Sequence, residues 1–241
     1  MENKEILPFY YNKSNCLSYL KCPYQFYLMT IKKCFGGNQY TERGKYVHAV
    51  VEKFFDIIDI DKITNPEQDF LDIIKTVKKY EEYQPFFDNF IKLEVERWND
   101  TPKELYKPIS LEKKFYTKIC NGVIDRVDNE GIWDYKTGYI SKPSVARDHI
   151  FELSFYAHLW NHNNPSNIIR NVGIICLKNG KKYSIPITPE DEEKVLQVVN
   201  KIKTLVEQEV FTKPDPCPDY GCLVKDTCWK IHNKQKGIYY D

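Results

Sequence analysis

The seventeen residues 122–138, GVIDRVDNEGIWDYKTG, constrain the fold of this chain more than any other stretch. Two runs that alternate like strands flank Asn129-Glu130-Gly131, a turn cluster, so the stretch is predicted to form a β-hairpin. Asp125 lies on the first strand. Asp134 and Lys136 stand two apart on the second strand and therefore on one face. Antiparallel pairing brings Asp125 close to both. Two carboxylates and an ammonium on one face are costly in a core, where charges are expensive unless paired. They suit a site that holds a hard divalent cation and polarises a phosphate, or else a salt-bridged hairpin on a solvated face.

Around the hairpin the pattern is α/β, with a mixed central sheet flanked by helices. Residues 109–116 read as a strand before the hairpin. Residues 172–177 form a short apolar run, Asn179-Gly180 is a turn, and residues 181–187 return as a partner strand. In residues 14–31, Ser14 is the candidate cap. Leu17, Leu20, Tyr24, Tyr27 and Leu28 follow at helical spacing, interrupted by Pro23. Residues 32–40, with Gly36-Gly37, read as a loop. A second helix spans 41–58, with Thr41 as cap and Val47, Val50, Val51, Phe54, Phe55 and Ile58 as its stripe. His48 sits at the margin of that stripe, an ordinary place for a boundary histidine. Residues 66–98 give two further helical patterns, parted at Gln84-Pro85. A helix from Pro143-Ser144 to about residue 160 puts Glu152 and Tyr156 one turn apart, with Phe151, Phe155 and Leu159 directed inward. Thr188-Pro189 opens another helix, and the tail after Lys213 lacks periodicity.

The 241 residues fit one domain, residues 1–241. Within it, a helical part at 1–108 carries Cys22 and His48, an α/β core occupies 109–210, and a Cys-rich tail occupies 211–241. A net charge of +1, from 35 basic and 34 acidic side chains, argues neither for nor against nucleic acid. No apolar run approaches the ~18 residues of a membrane span, and the first residues lack the apolar core of a signal peptide, so the expected location is cytoplasmic. In a reducing compartment, eight cysteines favour metal binding or burial over disulfides. Three of them crowd the tail as Cys217-x4-Cys222-x5-Cys228. Cys22, in YLKCPYQFYL, is the natural fourth ligand, and four thiolates can hold either zinc or an iron–sulfur cluster. Cys16, Cys34, Cys120 and Cys176 have no such context and are read as buried or incidental.

Taken in order, His48 in RGKYVHAVVEKFF, Asp125 in GVIDRVD, Asp134 and Lys136 in DYKTG, and the helix ELSFYAHLW resemble the successive motifs of PD-(D/E)XK nucleases. More narrowly they resemble the RecB-like clade, which includes the iron–sulfur exonucleases of CRISPR spacer acquisition and the RecB/AddB nuclease domains. The resemblance spans about residues 14–228. It implies a restriction-endonuclease-like sheet with an N-terminal helical elaboration and a C-terminal Cys-rich clasp. It also implies that His48, Asp125, Asp134 and the Tyr135 backbone carbonyl bind Mg²⁺ or Mn²⁺, and that Lys136 orients the attacking water and stabilises charge on the phosphate. The chain departs from the clade at Glu152, where glutamine is usual. Glu152 keeps an acceptor but loses the amide donor, which leaves it to join the metal shell or to pair with Lys136 or Arg147. Tyr156 matches. The clade places one N-terminal and three C-terminal cysteines on a 4Fe–4S cluster, here Cys22, Cys217, Cys222 and Cys228. The first C-terminal gap is four residues instead of the usual two, and zinc stays open.

The function implied is metal-dependent hydrolysis of DNA phosphodiesters, by an exonuclease acting on single-stranded ends, with the helices of residues 1–100 covering the site. The alternatives are a nuclease-fold binding module that partners an integrase or helicase, and a zinc-stabilised endonuclease.

Overall fold

The computed structural model describes residues 9–34, 39–217 and 222–235. The chain divides into two compact units, one made of residues 1–38 with 196–241 and the other of residues 39–195. In chain order the helices α1 (Lys13–Lys21) and α2 (Pro23–Phe26) lead through a π-helical turn to α3 (Gln39–Ile57), α4 (Pro66–Lys75), α5 (Tyr80–Asp100) and α6 (Lys103–Tyr106). The strands β1 (Ser110–Tyr116), β2 (Asn121–Asp128) and β3 (Gly131–Lys136) follow, then α7 (Lys142–Asp148) and α8 (Ile150–Asn163). The strands β4 (Asn171–Cys176) and β5 (Lys181–Pro186) precede α9 (Pro189–Glu207) and α10 (Lys225–Gln235).

The larger unit, residues 39–195, is built on one mixed sheet in the order β1-β2-β3-β4-β5. The first three strands form an antiparallel meander. β4 then lies parallel to β3, with α7 and α8 making the crossover that a parallel pair requires, and β5 closes the edge antiparallel. The hairpin turn is tied by Asp128, whose Oδ1 accepts the N–H groups of Glu130 at 2.9 Å and Gly131 at 3.1 Å, and the Trp133 indole N–H at 2.9 Å. At Gly173 a Cβ would collide with the Tyr183 carbonyl and the Trp133 ring, so glycine is what lets β4 and β5 pair beneath that indole.

Strand alternation sends neighbouring residues of the hairpin to opposite faces. One face carries Arg126, Asp128, Trp133 and Tyr135 into a core with Val47, Val51, Phe54 and Phe55 of α3, Phe70 and Ile74 of α4, and Phe87 and Phe90 of α5. Arg126 is 0% exposed there. It donates to Glu94 at 2.5 Å, to Asp128 at 2.8 Å and to the Tyr135 hydroxyl at 3.3 Å. Arg97 pairs with Glu94 at 2.8 Å and donates to the Tyr106 carbonyl at 2.6 Å. Each buried charge therefore has a partner, and the network bolts α5 to the hairpin. The other face carries Asp125, Asp134 and Lys136.

The structure corrects several helix boundaries. Asn12, not Ser14, caps α1 by a reciprocal box with Asn15, and the buried residues of α1 are Cys16 and Tyr19, while Leu17 and Leu20 face outward. In residues 66–98 the two expected helices are present: α4 ends at Lys75, and α5 is broken at the non-helical Tyr83, beside the expected Gln84-Pro85 step, with Pro85 in the first turn of the stretch that follows. The single helix expected from residue 143 is two, parted at His149 with φ −117° and ψ 0°. The tail contains α10, and Cys228 lies on it. Gly36-Gly37 lie outside the described residues, as does the side chain of Thr41.

In the smaller unit Cys22 ends α1 in an extended conformation and starts α2, so two short helices meet at Pro23, as its interruption of the helical pattern leads one to expect. Tyr19 donates its hydroxyl to the Val210 carbonyl at 2.6 Å. The Tyr27 and Phe211 rings pack with centroids 4.9 Å apart, which joins the two ends of the chain.

Candidate active site

The ladder between β2 and β3 ends at Arg126↔Trp133, so the strands part at the level of Asp125 and Asp134. Asp125 Oδ2 accepts the Tyr135 N–H at 2.8 Å, taking over a donor released by the splayed ladder. That bond fixes the carboxylate, which is only 7% exposed. From α3, His48 presents Nδ1 3.5 Å from Asp125 Oδ2 and 3.6 Å from Glu112 Oε1.

Glu112 is the residue that sequence reasoning missed. It lies on β1 between the pairs Leu111↔Arg126 and Lys113↔Ile124, across from Asp125. Its φ of +40° is a left-handed value that a glutamate adopts at a cost of about 1–3 kcal/mol, and such strain collects at functional sites. The only signal in the sequence was its position opposite Asp125, which requires the register of β1. His48, Glu112 and Asp125 each offer a ligand atom, and these atoms lie within 4.8 Å of one another.

The crowding has an electrostatic signature. Asp125 is pushed up to about 7, first by burial and then by the negative charges of Asp134 and Glu112, against the opposing pull of His48 and the Tyr135 N–H. Burial works against protonated His48, yet its hydrogen bond to Glu112 and the charges of Asp125, Asp134 and Glu112 hold its pKa above the ordinary value. A divalent cation relieves this repulsion, and the donor set of carboxylates plus one imidazole suits Mg²⁺ or Mn²⁺.

On the α8 side, the Tyr156 hydroxyl donates to Asp134 Oδ1 at 3.3 Å. Burial and then the Asp134 and Asp125 charges push that hydroxyl well above the usual tyrosine range, which keeps it a donor. Lys136 Nζ lies 2.6 Å from Asp134 Oδ2 and 2.7 Å from Glu152 Oε1. His149 Nδ1 lies 3.0 Å from Glu152 Oε2. Arg147 pairs with Asp148 instead of Glu152, which corrects one of the options for that carboxylate. His48, Asp125, Asp134, Lys136, Glu152 and Tyr156 are thus brought together. The Tyr135 side chain goes to the opposite face, while its backbone runs between Asp134 and Lys136.

The smaller unit holds Cys22, Cys217, Cys222 and Cys228. The Cys228 thiol is pushed up by burial, pulled down by Lys213, and pushed up again by the nearby Cys217, Cys222 and Cys22. Cys22 Sγ also accepts the Gln25 N–H at 3.3 Å. Cys16, Cys120 and Cys176 are buried, and Cys34 is half-buried.

A family model described as the PD-(D/E)XK nuclease superfamily matches residues 13–229. The chain belongs to the PD-(D/E)XK nuclease superfamily. Members use divalent metals, and the His48, Glu112 and Asp125 group is of a kind that can hold one. No protein of curated function matches this nuclease in sequence. Among solved structures it is similar to a provisionally assigned exonuclease from Eubacterium rectale, at 10% identity and a TM-score of 0.49, over 86% of the nuclease and 85% of that chain. Among the described residues of the nuclease, no helix is long and apolar enough to cross a membrane.

Proposed function

We propose that this nuclease is a RecB-like, metal-dependent deoxyribonuclease that works as an exonuclease on single-stranded DNA ends. The observation that carries the reading is the convergence of His48, Glu112, Asp125, Asp134 and Lys136 on one face of the splayed hairpin. His48, Asp125, Asp134 and the Tyr135 carbonyl would hold the cation, with Glu112 beside them. Bound there, Mg²⁺ or Mn²⁺ supplies Lewis acidity toward a phosphoryl oxygen and lowers the pKa of water. Lys136 places an ammonium where negative charge grows on the phosphate. Tyr156 holds Asp134, the Tyr135 N–H holds Asp125, and Glu152 holds Lys136, so the reacting constellation is oriented before DNA arrives.

The same reading gives Cys22, Cys217, Cys222 and Cys228 a 4Fe–4S cluster that clasps the two ends of the chain. The clasp role accords with residues 1–38 and 196–241 forming one compact unit.

Linear and closed-circular single strands, incubated with Mn²⁺ and compared with end-labelled duplex, test the proposal. The expected result is loss of the linear single strand from its ends. Cutting of the circle at a comparable rate makes the protein an endonuclease and overturns the exonuclease assignment.

A further inference from the structure

Lys136 has two anchors, and the arrangement makes them unequal. Asp134, at 2.6 Å, is also a candidate cation ligand, so a cation taken up by its carboxylate competes with the ammonium. Glu152, at 2.7 Å, lies on α8; neither it nor Asp134 belongs to the His48, Glu112 and Asp125 group, but Asp134 is among the charges that act on Asp125 and His48, and Glu152 is not. It is the anchor that can keep Lys136 at the site once Asp134 turns to a cation. A carboxylate on a helix has several staggered rotamers, however, and holds a lysine in place only if it is itself held.

We propose that His149 is a positioning residue for the reaction. Its Nδ1–H holds Glu152, and Glu152 holds the Lys136 ammonium against the scissile phosphate. The inference rests on the nuclease reading above. His149 Nδ1 lies 3.0 Å from Glu152 Oε2, while Glu152 Oε1 accepts from Lys136, so the two carboxylate oxygens are divided between the two donors. The histidine is itself rigidly placed. It occupies the joint between α7 and α8, its N–H donates to the Val145 carbonyl at 3.2 Å, and its carbonyl accepts the Leu153 N–H at 3.0 Å. The break between the two helices thereby gains a purpose: a continuous helix would not present residue 149 in this backbone conformation. Glu152 is buried, so a rotamer change there has little solvent to compensate it. The histidine-to-carboxylate-to-lysine chain follows the logic by which a partner behind a working group orients it.

The test uses the full-length protein with His149→Ala and His149→Asn, the asparagine amide standing in for Nδ1–H. Two readouts separate this proposal from the nuclease reading. The first needs no catalysis: the rate at which a lysine-selective acylating reagent modifies Lys136, followed by peptide mass spectrometry with Mn²⁺ present, to draw off Asp134, and without DNA. The rate rises about fivefold in His149→Ala and stays near wild type in His149→Asn, with the other lysines unchanged, as expected when an outer partner is lost. The second readout is cleavage of a single-stranded oligonucleotide with Mn²⁺. Here kcat falls about tenfold in His149→Ala, KM stays within about twofold, and His149→Asn recovers most of the rate. An unchanged Lys136 modification rate in His149→Ala overturns the proposal, and so does a His149→Asn protein as impaired as His149→Ala. If the wild type cuts no DNA the nuclease reading falls, and the modification rates still decide whether His149 anchors Lys136.

Discussion

The Lys136 ammonium lies 2.6 Å from the carboxylate of Asp134, two residues earlier on the same strand, because β3 turns both side chains to one face. The pair is a switchable contact. A cation at Asp134 weakens it, and the lysine then has a free hydrogen-bonding direction for the phosphate.

Replacing Lys136 therefore separates chemistry from metal binding. In Lys136→Ala the single-turnover rate of cutting falls about 10²–10³-fold, the scale of losing one preorganised charge-stabilising group. Mn²⁺ affinity measured by calorimetry stays at or above that of wild type, because the competitor for Asp134 is gone. A Lys136→Ala protein that binds Mn²⁺ several-fold more weakly would speak against this division of roles.

The raised pKa of Asp125 makes stability depend on pH in an unusual direction. The carboxyl is pushed up to about 7 in the folded chain, against about 3.9 when unfolded. Between those values the folded state binds more protons than the unfolded state, so stability falls as pH rises through that window. His48, also raised, adds stability below its ordinary value that is lost as pH rises through its folded pKa, and the two effects run the same way. Thermal unfolding in chelator is expected to show lower stability at pH 8 than at pH 6, by about one to a few kcal/mol. Asp125→Asn flattens the dependence, and Mn²⁺ restores stability at pH 8 in the wild type alone.

Arg126 stabilises the hairpin from the face opposite the site. Replacing it with methionine leaves the Glu94 and Asp128 carboxylates without their main partner in a dry core. The expected loss is about 3–5 kcal/mol in urea unfolding, the cost of breaking a buried pair by removing one side. An Arg126→Met protein within about 1 kcal/mol of wild type would mean that Glu94 and Asp128 find other partners.

The proposed four-cysteine clasp is separable from the candidate metal site by experiment. Anaerobically purified wild type is expected to absorb near ~400 nm through thiolate-to-cluster charge transfer. Cys228→Ser loses that band and unfolds at lower temperature, while Asp125→Ala keeps it. Stoichiometric zinc in a colourless wild type would assign the four thiols to zinc.

How much of this was legible in the residues follows from the range of the signals. The hairpin was readable because alternation and a turn cluster are local, and Asp125, Asp134 and Lys136 needed only the two-residue period to share a face. Glu152 and Tyr156 needed only the helical repeat. Glu112 was not readable, since its role depends on the register of β1 and on a positive φ. Glu94 and Arg126 look like solvated charges in the sequence, and only tertiary packing closes water off from them. Pro85 was informative because a proline fits the first turn of a helix, and the helix is indeed broken at Tyr83, just before it. The α10 helix escaped notice because its sequence carries no clear apolar stripe.

The central claim is that His48, Asp125 and Asp134 hold a divalent cation that the chain needs to cut DNA. The most direct measurement is degradation of an end-labelled single-stranded oligonucleotide by purified wild type and Asp125→Ala, each with Mn²⁺ and with chelator. The account predicts shortening of the label by wild type with Mn²⁺ alone, and none by Asp125→Ala or in chelator. Wild type that cuts equally well in chelator, or Asp125→Ala that cuts at the wild-type rate, would contradict it.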